Sequence, residues 1–212
     1  MTETLISTLV QDLRPIRNRA MQTRLAGAVA LGALITIPYA WLLLSLAIGR
    51  PFVPLWGEGM FWMKFGYALV LGLLGLSAVP ALSRPDGHIR WPFVAAGLLT
   101  LVVFGLGMAR WMTNNWAMPD LMGNSALVCP WLIGLTGLPM LAALLGAMRV
   151  LAPRSPAWAG LAAGLLAGGF GALAYALFCD ENGMMFIAVW YGLGIGLTTA
   201  LGALLGRWLL RW

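Results

Sequence analysis

Six long apolar runs, separated by short polar connections, constrain this chain more than any other feature of its sequence. A bilayer core about 30 Å thick needs roughly 20 apolar residues to be crossed by a helix. Each of the six runs is long enough to do so, and the short connections make neighbouring helices antiparallel. The sequence therefore predicts an all-α fold, a polytopic bundle of six transmembrane helices over Leu25–Gly49, Phe61–Leu82, Pro92–Thr113, Ala126–Met148, Ala157–Phe178 and Met184–Gly206.

The composition excludes an ordinary soluble domain. Hydrophobic residues make up 61% of the chain and charged residues only 9%, whereas soluble domains carry roughly 25% charged residues. The net charge of +6 would suggest nucleic-acid binding in a soluble protein. Here the basic residues lie between the apolar runs, where they orient the helices and contact anionic headgroups. We therefore expect membrane lipid, and no nucleic acid, among the partners.

The basic residues also predict the orientation of the bundle. Positive charges concentrate in the cytoplasmic loops of membrane proteins, and ten of these residues fall on one side against three on the other. We expect both termini in the cytoplasm of a bacterial cell, with residues 1–24 as a cytoplasmic segment and residues 25–212 as the transmembrane domain in the inner membrane. The ten are Arg14, Arg17, Arg19, Arg24, Arg84, Arg90, Arg149, Arg154, Arg207 and Arg211; the three are Arg50, Lys64 and Arg110.

The N-terminal segment has the pattern of a short amphipathic helix. Leu5, Leu9 and Leu13 recur at four-residue spacing and form one apolar stripe, which Pro15 terminates. Helices that lie on membranes usually carry basic residues on their polar face. This one carries acidic residues such as Asp12 instead, which favours a protein partner over the lipid surface.

The chemistry expected of a pump or an enzyme is missing. The central parts of the six runs contain no ionisable residue, and we expect Lys64 and Arg110, near helix ends, to extend to the interface. The single histidine, His88, lies in a loop beside Asp86 without a nucleophile in context. No phosphate-binding loop or zinc-ligand spacing is present. The sequence therefore predicts no catalytic residue, no cofactor and no metal centre.

The two cysteines lie at matching positions on consecutive helices. Cys129 opens the fourth run, Cys179 closes the fifth, and Arg154 lies midway between them in the intervening connection. An antiparallel hairpin would place the thiols at similar heights, with an offset of about 5 Å. Buried cysteines often serve as small hydrophobes. Alternatively, the pair could be a permanent disulfide, a redox switch, or a soft-metal site assisted by Asp180 and Glu181.

Glycines recur at four-residue spacing in the last two runs. Such faces let helix backbones approach closely in a membrane. The pattern predicts helix packing, within one chain or between chains, at Gly160, Gly164, Gly168, Gly171, Gly192, Gly196, Gly202 and Gly206.

Several of these segments resemble NrsF-type anti-sigma factors, and the resemblance covers essentially the whole chain. Phe178 stands where members of that family usually have a histidine before the second cysteine. The residues that carry the resemblance are Leu5-Ile6, Leu9 and the run Asp12-Leu13-Arg14-Pro15-Ile16-Arg17, followed by Gly171-Ala-Leu-Ala-Tyr-Ala-Leu-Phe-Cys179-Asp-Glu, Phe186-Ile-Ala-Val-Trp190-Tyr191-Gly192 and Gly202-Ala-Leu-Leu-Gly-Arg-Trp-Leu-Leu-Arg211-Trp212.

The resemblance implies a function. Such proteins are inner-membrane negative regulators that hold an extracytoplasmic-function sigma factor at the cytoplasmic face until heavy-metal or oxidant stress is sensed. It implies sensing at Cys129 and Cys179, and it identifies the partner of the N-terminal segment as a sigma factor, bound through Leu5, Leu9, Asp12, Leu13 and Pro15. Two other functions remain open from the residues: a transporter or channel component for a neutral or soft-metal solute, and a membrane thiol oxidoreductase. The oligomeric state is not predicted.

Overall fold

Seven helices make up the fold in a computed structural model that describes residues 20–52 and 56–211. The predicted N-terminal stripe, with Leu5, Leu9, Asp12, Leu13 and Pro15, lies outside these described residues. The helices are α1 (Ala20–Trp41, continued as a π-helix over Leu42–Ala47), α2 (Gly59–Leu82), α3 (Trp91–Thr113), the short α4 (Met118–Met122), α5 (Cys129–Met148), α6 (Pro156–Ala176) and α7 (Met184–Leu209, with a π-helical turn at Ile187–Tyr191).

All of these helices except α4 are long and apolar enough to cross a membrane. The prediction of an all-α bundle with six membrane-spanning helices is confirmed, and the observed boundaries differ from the predicted ones by a few residues. The largest difference is at α1, which begins at Ala20 rather than Leu25. The division into a cytoplasmic segment and a transmembrane domain, and the cytoplasmic location of both termini, remain predictions.

Helix α6 is the centre of the bundle. It packs most extensively against α7, and also against α2 and α5. A larger share of its residues is buried inside the protein than in any of the other five spanning helices. Helix α1 packs mainly against α5. Helix α3 makes its main contacts with α2 and with the first turns of α7. Because α1 and α3 are peripheral, they leave many large apolar side chains exposed, as expected of helices that face lipid rather than water.

The central position of α6 depends on glycines on several of its faces. A Cβ atom at Gly164 would lie 2.6 Å from the Thr198 carbonyl oxygen of α7, and one at Gly169 would lie 2.6 Å from the backbone of Gly72 in α2. On the side of α5, a Cβ atom at Gly171 would lie 2.6 Å from the Ile133 carbonyl oxygen. These distances are shorter than side chains tolerate, so glycine alone fits. The close packing predicted from the glycine spacing therefore occurs within one chain at six of the eight positions. The prediction is wrong for Gly196, where a Cβ atom would meet nothing within 4 Å, and for Gly192, which faces the Tyr67 hydroxyl group rather than a backbone.

Two buried clusters occupy the two ends of this bundle. One joins Leu25 of α1, Leu82 of α2 and Met148 of α5 at the end that carries most of the arginines; we call this the arginine end. The other includes both cysteines and lies where α5 begins and α6 stops; we call it the cysteine end. Helix α6 contributes residues to both clusters and so connects the two ends.

The packing of α6 leads to a stability prediction. In an open helix, Gly→Ala raises helix propensity and should leave stability unchanged or slightly higher, by up to about 1 kcal/mol. At Gly164 the added methyl group would overlap the α7 backbone. We therefore expect Gly164→Ala to lower the free energy of unfolding by about 1–3 kcal/mol, measured by thermal unfolding in detergent micelles.

The matched control is Gly27→Ala in α1, where a Cβ atom meets nothing within 4 Å. This variant should unfold at or slightly above the wild-type temperature. Equal stability of the two variants would contradict the assignment of α6–α7 contact to Gly164.

Candidate functional site

The two thiols share one buried cluster at the cysteine end. Cys129 is the first residue of α5, and Cys179 follows the last turn of α6, which ends at Ala176. Both residues are 0% exposed and both are free thiols. Both belong to the same buried cluster of side chains. The hairpin geometry inferred from the sequence thus brings both cysteines into one buried cluster.

Two tyrosines complete the wall around the thiols. Tyr175, in the last turns of α6, and Tyr191, at the end of the π-helical turn in α7, have ring centroids 5.9 Å apart and are both fully buried. Neither hydroxyl group has a partner at hydrogen-bonding geometry within the described part of the chain. A π-helical turn inserts one extra residue and so re-aims the side chains beside it. Tyr191 is the last residue of this turn, and it lies in the same buried cluster as both cysteines.

A buried lysine supports the loop that carries Cys179. Lys64 of α2 is 0% exposed. Its Nζ donates hydrogen bonds to the Cys179 carbonyl oxygen and to the Glu181 carbonyl oxygen, the latter at 3.3 Å. The ammonium group also lies 5.9 Å from the centroid of the Phe61 ring. Because a buried charge is costly unless it is hydrogen-bonded, these contacts anchor residues 179–181 to α2.

The side chain of Glu181 ties the same loop to the start of α5. Its Oε1 accepts hydrogen bonds from the Asn124 backbone N–H at 2.6 Å and from the Ser125 hydroxyl at 3.1 Å. Gly123 precedes this contact with a φ of +47°, and a Cβ atom there would collide with the Glu181 carboxylate. Glycine is therefore required at this position by both conformation and space. Lys64 and Glu181 thus hold two loops, residues 123–125 and 179–181, together beside the thiols. We call these two loops the loop layer.

The arrangement limits the chemistry available at the site. Among the described residues, no group of three or more His, Cys, Asp or Glu side chains is placed to hold a metal ion. Asp180 is exposed to solvent, whereas the Glu181 carboxylate is committed to the α5 loop. The suggested help of these two residues in binding a soft metal is therefore not seen. What remains at the site is two buried free thiols, a residue type that can be oxidised.

The structure corrects the sequence-based view of Lys64 and adds residues that it missed. The expectation that Lys64 extends to the membrane interface is wrong, because the side chain turns inward to the loop carbonyl groups. The sequence did not predict that Tyr175 and Tyr191 lie beside the cysteines. The sequence feature that could have indicated a buried polar site here was the single lysine, Lys64, within an apolar run. Phe178, at the position where histidine is usual, is buried and packs edge-on against Phe52 at 5.5 Å.

Comparison with known proteins identifies the family. Residues 9–212 match the family model NrsF, described as negative regulator of sigma F. The chain is 37% identical to the Anti-sigma-F factor NrsF of Caulobacter vibrioides over 220 aligned residues, covering 100% of this chain and 99% of that protein. It is 41% identical to the Probable anti-sigma-F factor NrsF of Azospira oryzae over 158 residues, covering 72% of this chain and 73% of that protein. No solved structure matches the chain.

The fold and the comparisons together define a membrane-embedded regulatory protein rather than an enzyme. The chain belongs to the NrsF family of negative regulators of sigma F. The predicted resemblance, the class of anti-sigma factor and the prediction that the protein is not an enzyme are thereby confirmed.

The hydrogen bonds that hold the loop layer lead to a prediction about how readily a reagent reaches the thiols. Lys64→Met removes the ammonium group that holds the Cys179 and Glu181 carbonyl groups. Hydrogen bonds to charged groups contribute about 1.5–3 kcal/mol, so we expect the two thiols to react with a maleimide roughly ten- to a hundredfold faster in the detergent-solubilised protein. Mass spectrometry of the labelled peptides over time measures the rate at each cysteine.

The control is Arg110→Met, which removes an exposed cation from the end of α3. Its thiols should react at the wild-type rate. Wild-type reactivity in the Lys64 variant would show that the ammonium group does not hold the loop closed.

Proposed function

We propose that this protein holds an extracytoplasmic-function sigma factor at the cytoplasmic face of the inner membrane and releases it when Cys129 and Cys179 are chemically modified. The supporting observation is the burial of both thiols in one cluster, within a chain whose family is described as a negative regulator of sigma F. Thiols are the most readily oxidised groups at this site, and both belong to one buried cluster.

The burial of the thiols explains why their modification would change the structure. Oxidation of two thiols to a disulfide joins the sulfur atoms, releases two protons and transfers two electrons to the oxidant. A soft metal cation bound between them would likewise displace two protons. Either change must alter a close-packed site in which both sulfur atoms are 0% exposed. Interiors packed at this density respond by shifting elements rather than by deforming smoothly.

Helix α6 offers a physical route between the two ends of the bundle. Cys179 follows α6 directly, and the same helix begins at Pro156 at the arginine end. Because its glycines place its backbone against α2, α5 and α7, a displacement at the cysteine end would be passed on to helices that reach the opposite face. We infer that two alternative packings of α6 correspond to the sigma-bound and sigma-free states.

The N-terminal segment is proposed to supply the contact with the sigma factor. Deletion of residues 2–19 leaves α1 intact from Ala20 and should abolish co-purification of the sigma factor with the protein. Replacement of Leu5, Leu9 and Leu13 by alanine should weaken binding on the order of a hundredfold, as truncation of central apolar anchors does. The measurement is a pull-down from membranes that contain both proteins, quantified by titration.

The matched control replaces Thr4, Ser7 and Gln11, which lie on the opposite side of the same predicted helix, by alanine. It should bind the sigma factor as the wild type does. Full binding by the chain that lacks residues 2–19 would overturn the assignment of the docking segment.

The thiols are tested separately from docking. A variant with Cys129→Ser and Cys179→Ser should bind the sigma factor normally and should fail to release it on exposure to an oxidant or cadmium, whereas the wild type releases it. Transcription from a sigma-dependent reporter provides the readout in cells. Normal induction in the double variant would exclude the cysteines from sensing while leaving the anti-sigma activity in place.

A further inference from the structure

A basic pocket lies at the arginine end, between the α2–α3 connection and the start of α6. Its volume is about 360 Å³. Arg90, just before α3, and Arg154, just before α6, line it together with His88 and the side chains of Ser155 and Trp158. The Arg154 backbone N–H donates a hydrogen bond to the Arg84 carbonyl oxygen at 3.5 Å, which holds the two connections together.

No ion pair within the described part of the chain neutralises the arginines of this pocket; Asp86, in the same α2–α3 connection, is exposed and does not pair with them. Arg90 and Arg154 are exposed, and neither guanidinium group makes a hydrogen bond or ion pair with any described residue. Two arginine side chains, a serine hydroxyl group and a histidine converge there, a donor set that suits a phosphate group.

A second, apolar groove lies next to this pocket, along the same two helices. Its volume is about 570 Å³, and it runs between α3 and α6 toward α7. On α3 the groove is lined by Phe93, Gly97 and Thr100, which follow Arg90 at successive intervals of three, four and three residues and so share one face of the helix. On α6 it is lined by Leu161 and Leu165, which follow Trp158 at similar intervals. The rings of Phe93 and Trp158 lie 5.4 Å apart at the junction of pocket and groove. Pocket and groove are therefore neighbours that meet at this ring contact. We call the two together the seam.

The depth of the seam matches one leaflet of a bilayer. The ten residues from Arg90 to Thr100 rise about 15 Å along α3, which is half the thickness of a bilayer core of about 30 Å. The far wall is formed by small residues of α7, namely Gly192, Gly196 and Ala200. A Cβ atom at Gly97 or at Gly196 would meet nothing within 4 Å. The groove is thus open to lipid and is not closed by side chains of the described residues.

We propose that this seam binds one anionic phospholipid, with its phosphate group at Arg90 and Arg154 and one acyl chain in the groove. A soluble phosphate would account for the basic pocket and leave the apolar groove unexplained. A helix of a second copy would fill the groove and leave the unpaired arginines unexplained. An anionic phospholipid satisfies both parts, and basic pockets between membrane helices on the cytoplasmic side bind such headgroups.

The experiment uses the full chain purified in mild detergent and incubated with phosphatidylglycerol or phosphatidylethanolamine, with retained lipid counted by native mass spectrometry. We expect phosphatidylglycerol to be retained in preference to phosphatidylethanolamine. The pair Arg90→Gln and Arg154→Gln should reduce its retention roughly ten- to thirtyfold, since each basic residue contributes about a factor of five. The pair Gly97→Leu and Gly196→Leu, which fills the groove without a clash at the Cβ position, should reduce retention at least as much.

Matched controls separate these effects from general changes. Arg207→Gln with Arg211→Gln removes two exposed charges from the end of α7, and Gly27→Leu with Gly105→Leu adds the same side chains at open positions outside the groove. Both controls should retain phosphatidylglycerol as the wild type does. Thermal unfolding of every variant confirms that the fold is intact.

Three results would overturn the proposal. Wild-type retention in the groove-filled variant, together with loss in the arginine variant, would indicate a phosphate site without an acyl chain. A dimer that disappears when Gly97 and Gly196 are filled would assign the groove to a second copy. Equal loss in the test variants and their controls would leave only non-specific attraction to the basic surface.

Discussion

The close backbone contact of α6 with α2, α5 and α7 is the interaction on which the rest of this structure depends. In a membrane, apolar side chains gain nothing by leaving lipid for protein, so helices associate through close packing and hydrogen bonds. Glycines on different faces of α6 permit that packing with three neighbours at once. One helix thereby becomes the shared wall of the cysteine end and the arginine end, and its position fixes both.

At the cysteine end, this arrangement is completed by two charged residues that bond to backbone groups. The Lys64 ammonium group is satisfied by carbonyl groups after α6, and the Glu181 carboxylate by donors before α5. Charges in such places are costly unless they are hydrogen-bonded, so the loops are held in one conformation. The thiols are therefore shielded by loops with a defined set of contacts.

The opposite end has a different character. Charged side chains there remain exposed and unpaired within the described part of the chain, and an open groove adjoins them. A phospholipid in this seam would lie against α6 and α7, the pair with the closest backbone contact. Lipid occupancy would then bias the same packing that thiol modification is proposed to change. Under this view, the regulator would respond both to chemistry at one end and to membrane composition at the other.

The sequence by itself determined the number of spanning helices, their approximate bounds and the close packing of the last two, because apolar run length and glycine spacing act locally along a helix. It also placed Cys129 and Cys179 at a common height, since a short connection forces α5 and α6 to run antiparallel. Only the tertiary structure decided that Lys64 turns inward, that Tyr175 and Tyr191 enclose the thiols, and that α6 is central. Those features depend on the rotation of each helix about its axis and on which distant segments meet, as Lys64 meets the carbonyl group of Cys179. Neither is encoded in the spacing of residues within a single run.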